Sequence, residues 1–168
     1  VLFHLRTLAF DWRRFADLRA LPIGGTRGFN YGERFRRAEA EGAIEVRWSD
    51  SVRESFERLL RGELALVAHD QGVGHEDLRQ HFPPEQAARV AFHPRMTDHH
   101  LSHVIFPRCN GERSRALREA FDRGMARLAA GGEIRRWARD FQTGRYGNAP
   151  FPGDYWTLES PLEALDEG

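Results

Sequence analysis

From residue 21 onward, short apolar runs of strand length alternate with stretches whose apolar residues recur every three to four positions. Residues 21–25 predict a strand, and the Gly-rich turn through Gly24, Gly25, Thr26, Arg27 and Gly28 leads into a helix expected over about 30–41. Ile44, Val46 and Trp48 then alternate with polar residues, the pattern of a half-exposed strand. Ser51 and Glu54 have the spacing of a capping box, and Val52, Phe56, Leu59 and Leu60 line one face of the helix they would start, which Gly62 ends. Residues 64–68 form an unbroken apolar run, as in a strand covered on both faces. Strand, helix, strand, helix, strand with short connections predicts an α/β fold with a mainly parallel sheet flanked by helices.

Beyond a polar stretch containing Pro83 and Pro84, further strands are expected at 89–92 and 101–106. A long helix is predicted over about 113–130, with Leu117, Ala120, Phe121, Gly124 and Leu128 on one face. Gly131 and Gly132 break it, and Ile134, Trp137, Ala138 and Phe141 mark a second amphipathic helix. The tail from Thr143 is rich in Gly, Pro and aromatic residues without a period and is expected to be irregular.

Composition narrows the function classes. The chain has 168 residues, 25 basic against 25 acidic, and every basic residue is arginine. Zero net charge gives no basic field to attract nucleic acid, so the arginine bias reads as genomic composition. The longest apolar run is far shorter than the roughly 20 residues of a spanning helix. Cys109 is the single cysteine, which excludes an intrachain disulfide and a Cys-rich zinc site. Val1 is preceded by neither an initiator methionine nor a signal peptide, and the expectation is that a preceding segment has been removed.

Two places carry candidate chemistry, because both lie at the carboxyl ends of predicted parallel strands, where open α/β sheets place ligands. One is the turn Thr26, Arg27, Gly28, Phe29, Asn30 and Tyr31, whose glycine lets backbone approach a ligand while the next helix offers N–H groups to an anion. The other is His69 and Asp70; the carboxylate can accept from an ammonium, or simply cap the next segment, and His69 can line the site or cover the sheet end. Together they describe a receptor for a zwitterion. Asp98, His99, His100 and His103 are the best metal candidate, yet a strand at 101–106 would turn His100 away from His99 and His103, so no metal and no cofactor is expected. Ser51 reads as a cap rather than a nucleophile, and Met96 and Met125 as packing.

Asp17, Leu18, Arg19, Ala20, Leu21, Pro22, Ile23 and Gly24, followed by Arg27, Gly28, Phe29, Asn30, Tyr31 and Gly32, resemble the "DLkGkxIGvxrGysYG" signature of family 3 solute-binding proteins, the extracytoplasmic receptors of amino-acid-type ABC transporters. Residues 59–70, from Leu59 to Asp70, resemble their "kLlaGrvDlvvxD" segment, and 117–141 their closing pair of helices. The resemblance implies a type 2 periplasmic-binding fold, two lobes closing over a ligand. It divides the chain into 1–16, a crossing strand of a partial first lobe; 17–100, the second lobe; 101–142, the return strand and helices of the first lobe; and 143–168, an irregular tail. Most of the first lobe is expected to be missing, Val1 marking a cut through a larger receptor or a protein that has lost half its clamp.

By resemblance, Arg27, Gly28, Phe29, Asn30 and Tyr31 would hold the carboxylate end of a small polar solute, and Asp70 beside His69 its ammonium, with no chemical conversion. An amino acid or related amine, a membrane permease and a periplasmic location are the implied partners and place, with self-association of the truncated chain expected. Phe29 and Asn30 stand where many family members have a hydroxyl residue, and Ala65 where an aspartate is common. A ligand-sensing domain of a membrane signalling protein and a dehydratase-type enzyme using Asp70 and His69 as an acid/base pair are the alternatives.

Overall fold

A computed structural model describes residues 1–98 and 103–146 of the chain, which divides into two compact units, Val1–His100 and Leu101–Gly168. In the first unit, strands β1 (Leu2–Leu5), β2 (Ile23–Thr26), β3 (Val46–Ser49), β4 (Leu66–Ala68) and β5 (Val90–His93) form one sheet in the order β3-β2-β4-β1-β5. β2 is parallel to β3 and β4, whereas β1 is antiparallel to β4 and β5. Four strands therefore point one way and β1 alone opposes them, so the fold is α/β with a mixed, mainly parallel sheet.

Leu2–Leu5, in the segment 1–16 expected to hold a crossing strand, lies within this sheet between β4 and β5. The reason is in two adjacent side chains that strand geometry sends to opposite faces. Leu2 joins Trp12, Leu18, Ile23, Phe35 and Ala38 on one face, and Phe3 joins Phe56, Leu59, Val67 and Leu78 on the other. Both are fully buried, and burial of each is worth about 1.5–3 kcal/mol, so only a central position satisfies β1.

Helices α1 (Gly32–Ala40), α2 (Val52–Leu60), α3 (Gln71–His81) and the short α4 (Pro84–Ala87) complete this unit, with a 3-10 turn at Phe15–Leu18. At the start of α2, Ser51 Oγ accepts from Glu54 N at 3.1 Å, while the Glu54 carboxylate reaches back one residue further than a capping box requires, to Asp50 N at 2.9 Å. The sequence pattern leaves α3 as a polar stretch, because apolar residues other than Val73 and Leu78 are missing from it. Gly72 and Gly74 are buried instead, and a Cβ on Gly74 would stand 2.6 Å from two carbons of the Phe3 ring, so a bare helix backbone is what lets α3 lie against the sheet.

The second unit contains a 3-10 turn (Arg108–Asn110), α5 (Gly111–Ala130) and α6 (Glu133–Gln142), the two helices joined through Gly131 and Gly132, the latter at φ +76°. The strand expected at 101–106 is not formed over 103–106, which are irregular; Val104 and Ile105 are exposed, without a ladder partner among the described residues. Leu117, Phe121, Met125 and Trp137 are also exposed in this unit. Among the described residues no helix is long and apolar enough to cross a membrane.

Candidate functional site

The sheet's carboxyl rim gathers the two candidate segments. β2 pairs with β4 so that Ile23 faces Leu66 and Gly24 faces Val67, and continuing that register sets Thr26 level with His69. On one side Thr26 pairs with Ser49; on the other, His69 N donates to Val1 O at 3.1 Å. Adjacent parallel strands thus end side by side, one running into the turn 27–31 and the other into Asp70. Contact follows: the Phe29 ring stands edge-on to the His69 ring with centroids 5.5 Å apart.

Within the turn, Gly28 takes φ +83°, a left-handed conformation that favours glycine. Tyr31, at the cap position of α1, does not cap it through its side chain; its hydroxyl accepts from Thr26 N at 2.6 Å and thereby pins the turn to the end of β2. Burial pushes the Tyr31 phenol above its usual range, against the opposing pull of the Thr26 hydrogen bond, so it stays a neutral hydroxyl. Asn30 Oδ1 accepts from Gly32 N at 3.1 Å, which leaves its amide NH2 to donate. Arg27 does not extend into this arrangement through its guanidinium, which pairs with Asp50 at 2.8 Å near the end of β3; both side chains are largely exposed, and such a pair is worth about 0–1 kcal/mol.

At the end of β4, Asp70 is exposed and caps α3, its Oδ1 accepting from Val73 N at 2.9 Å. His69 is buried and both of its ring nitrogens are engaged. Nδ1 accepts from Asp70 N at 2.8 Å, which requires the proton to be on Nε2, and Nε2 lies 3.2 Å from Asp77 Oδ2. Burial holds the imidazole below its usual range, with Asp77 pulling the other way.

Asp98 lies at the start of α1. An ideal Cβ on Gly32, which has φ +82°, would be 1.7 Å from Asp98 Oδ2, so the carboxylate rests on the glycine where any side chain would be excluded. A negative charge there is favoured by the helix dipole. Of the weak candidate metal cluster, His99 and His100 lie outside the described residues, and His103 belongs to the second unit. Among the described residues no group of three or more potential ligands comes together.

The sequence pattern did not point to Ser55 or Asp77. Thr26 and Ser55 are buried with their hydroxyls 3.4 Å apart beneath the turn, and Asp77 anchors His69. Thr26 was legible as the first residue of the turn; Asp77 offered no signal, because the helix that positions it was not legible.

No family model and no curated protein sequence matches the chain. Solved structures resemble it over about half its length. An ancestral arginine-binding protein bound to arginine is 18% identical over 54% of this chain and 38% of its own, with a TM-score of 0.43. Domain 2 from TmArgBP is 16% identical over 55% of this chain and 90% of its own, at 0.43. Substrate binding domain 2 of Lactococcus lactis GlnP, in an open conformation, is 14% identical over 54% and 36%, at 0.41. This chain therefore spans well under two thirds of the arginine-binding protein and of the GlnP domain.

Proposed function

We propose that the carboxyl rim of the β2–β4 pair binds a small, amino-bearing polar solute, an amino acid or related amine, and performs no chemistry on it. The observation that carries this reading is the adjacency of the turn 27–31 and the Asp70 cap, bridged by the Phe29 and His69 rings at 5.5 Å. Asp70 accepts from the solute's ammonium, Phe29 covers its apolar part, and the amide of Asn30 with backbone N–H groups of the turn takes the polar end. Asp98 on Gly32 adds a second negative charge and tilts the preference toward an amine over a dianionic solute.

The wider reading follows the sequence motifs at 17–32, 59–70 and 117–141. The chain is part of a two-lobed extracytoplasmic receptor of the type 2 periplasmic-binding class that delivers its solute to a membrane permease, 17–100 supplying one wall of the clamp and 101–142 part of the other lobe. The binding reading is favoured over the acid/base alternative by the engagement of both His69 ring nitrogens, Nδ1 with Asp70 N–H and Nε2 with Asp77. Calorimetric titration of the protein with arginine, putrescine and succinate tests the reading. Heat of binding with either amine and none with succinate supports it; binding of succinate alone overturns it.

A further inference from the structure

Among the titratable groups of the rim, His69 has the most fully specified surroundings. Its Nδ1 meets the amide of the very residue that caps α3, its Nε2–H meets Asp77 in the second turn of the same helix, and its ring is enclosed by Phe29 from the turn and Phe56 from α2, with centroids 5.5 and 6.4 Å away. A side chain that only filled space would not need opposite hydrogen-bond polarity at its two nitrogens. This one closes a loop from the end of β4, through the ring, to α3 and back along the helix to Asp70.

We propose that His69 is the positioning residue of the site: as a neutral Nε2–H imidazole it fixes the Asp70 peptide and the start of α3, and adding one proton to Nδ1 releases both. The released state has two donors, Nδ1–H and Asp70 N–H, facing each other where there had been a donor and an acceptor. The bond breaks, and the first turn of α3, which carries the Asp70 carboxylate, loosens. Its role in binding rests on the reading of Asp70 given above, because His69 acts on a solute only through that residue.

The charged groups facing His69 set the balance. Asp70 on its own segment and Asp77 on α3 favour the imidazolium, with His81 lying 3.8 Å behind Asp77. The backbone nitrogen of Val1 donates to the His69 carbonyl at 2.8 Å. Phe56 from α2 and Phe29 from the turn bring no charge, and the burial they impose outweighs the two carboxylates. The neutral form therefore prevails at neutral pH and the switch operates on the acid side.

The test needs no solute. Nitrogen NMR of the imidazole in the wild-type protein at pH 8 should find the proton on Nε2. Amide hydrogen exchange should show Asp70 protected at pH 8 and losing protection by roughly three- to tenfold as His69 titrates, the equivalent of one neutral hydrogen bond. His69→Asn puts a non-titrating acceptor near the Nδ1 position and should keep Asp70 protected at every pH. His69→Gln reaches Asp77 without offering that acceptor and should lack the protection at every pH. A proton on Nδ1, or Asp70 protection independent of pH in the wild type, or wild-type pH dependence retained in His69→Asn, overturns the proposal. Titration with arginine as probe separates the two ideas: exchange as expected with no arginine or putrescine bound leaves His69 as the positioning residue of α3 and removes the amine site, whereas amine binding with pH-independent exchange does the reverse.

Discussion

Asp70 is given two tasks, and two substitutions separate them. Its Oδ1 accepts from Val73 N at 2.9 Å, an ordinary helix cap, while the charge of the carboxylate is what a solute ammonium reads. Asp70→Ala removes both. Loss of an Asp cap costs about 1 kcal/mol, which for a unit of this size lowers Tm by roughly 4–8 °C. Asp70→Asn keeps a cap of nearly equal strength and should leave Tm within about 1–2 °C of wild type. For binding the two variants converge: a hydrogen bond to a charged partner is worth about 1.5–3 kcal/mol, so each should weaken amine affinity by about tenfold to a hundredfold. Thermal denaturation followed by circular dichroism reads the first quantity and calorimetric titration the second. An Asp70→Asn variant that binds the amine as tightly as wild type refutes the solute contact; an Asp70→Ala variant as stable as wild type refutes the cap.

Further outcomes follow from the packing and the electrostatics. Gly74→Ala would force a methyl to within 2.6 Å of the Phe3 ring and should cost about 1–3 kcal/mol by overpacking; unchanged stability in a urea melt would show that α3 does not lie against β1 as described. His69 and His75 are both held below the usual imidazole range, chiefly by burial. The unfolded chain therefore takes up their protons first, so stability is full above about pH 6.5 and is lost as pH falls from there through the lower folded-state range; a urea midpoint that is flat or rises between pH 7 and 5 contradicts this. Asp98→Asn removes a charge from the start of α1 and should raise affinity for a carboxylate-bearing solute about two- to fivefold, an effect absent if Asp98 plays no part in the rim.

Much of the first unit was legible from the chain alone, for identifiable reasons. The runs around Ile23, Val46 and Leu66 are apolar enough to be strands in almost any context, and the α2 stripe of Phe56 and Leu59 with its Ser51 cap is a local signal. What escaped depends on long-range packing. α3 reads as polar because its contact with the sheet is made by Gly72 and Gly74, whose usefulness appears only once Phe3 lies against them. The central place of Leu2–Leu5 in the sheet was not legible, because a short N-terminal run does not announce that both of its faces will be covered. The stretch 101–106 carries the β-branched and aromatic residues of a strand, but apolar residues record a tendency to be buried, and Val104 and Ile105 are left exposed. At the site, Gly28, Phe29, Asn30, Tyr31, His69 and Asp70 could be nominated because strand ends are predictable, whereas the wiring that gives His69 its tautomer needed Asp77, one and a half helical turns into an element the pattern concealed.

The central claim, that one rim built from the ends of β2 and β4 holds an amino-bearing solute, is tested most directly by titrating the nitrogen-labelled protein with arginine and following every backbone amide. Saturable shifts concentrated at residues 28–33 and 69–73, lost in Asp70→Asn, are the expected result. Saturable shifts confined to other residues, or none at all with arginine and putrescine, would contradict it.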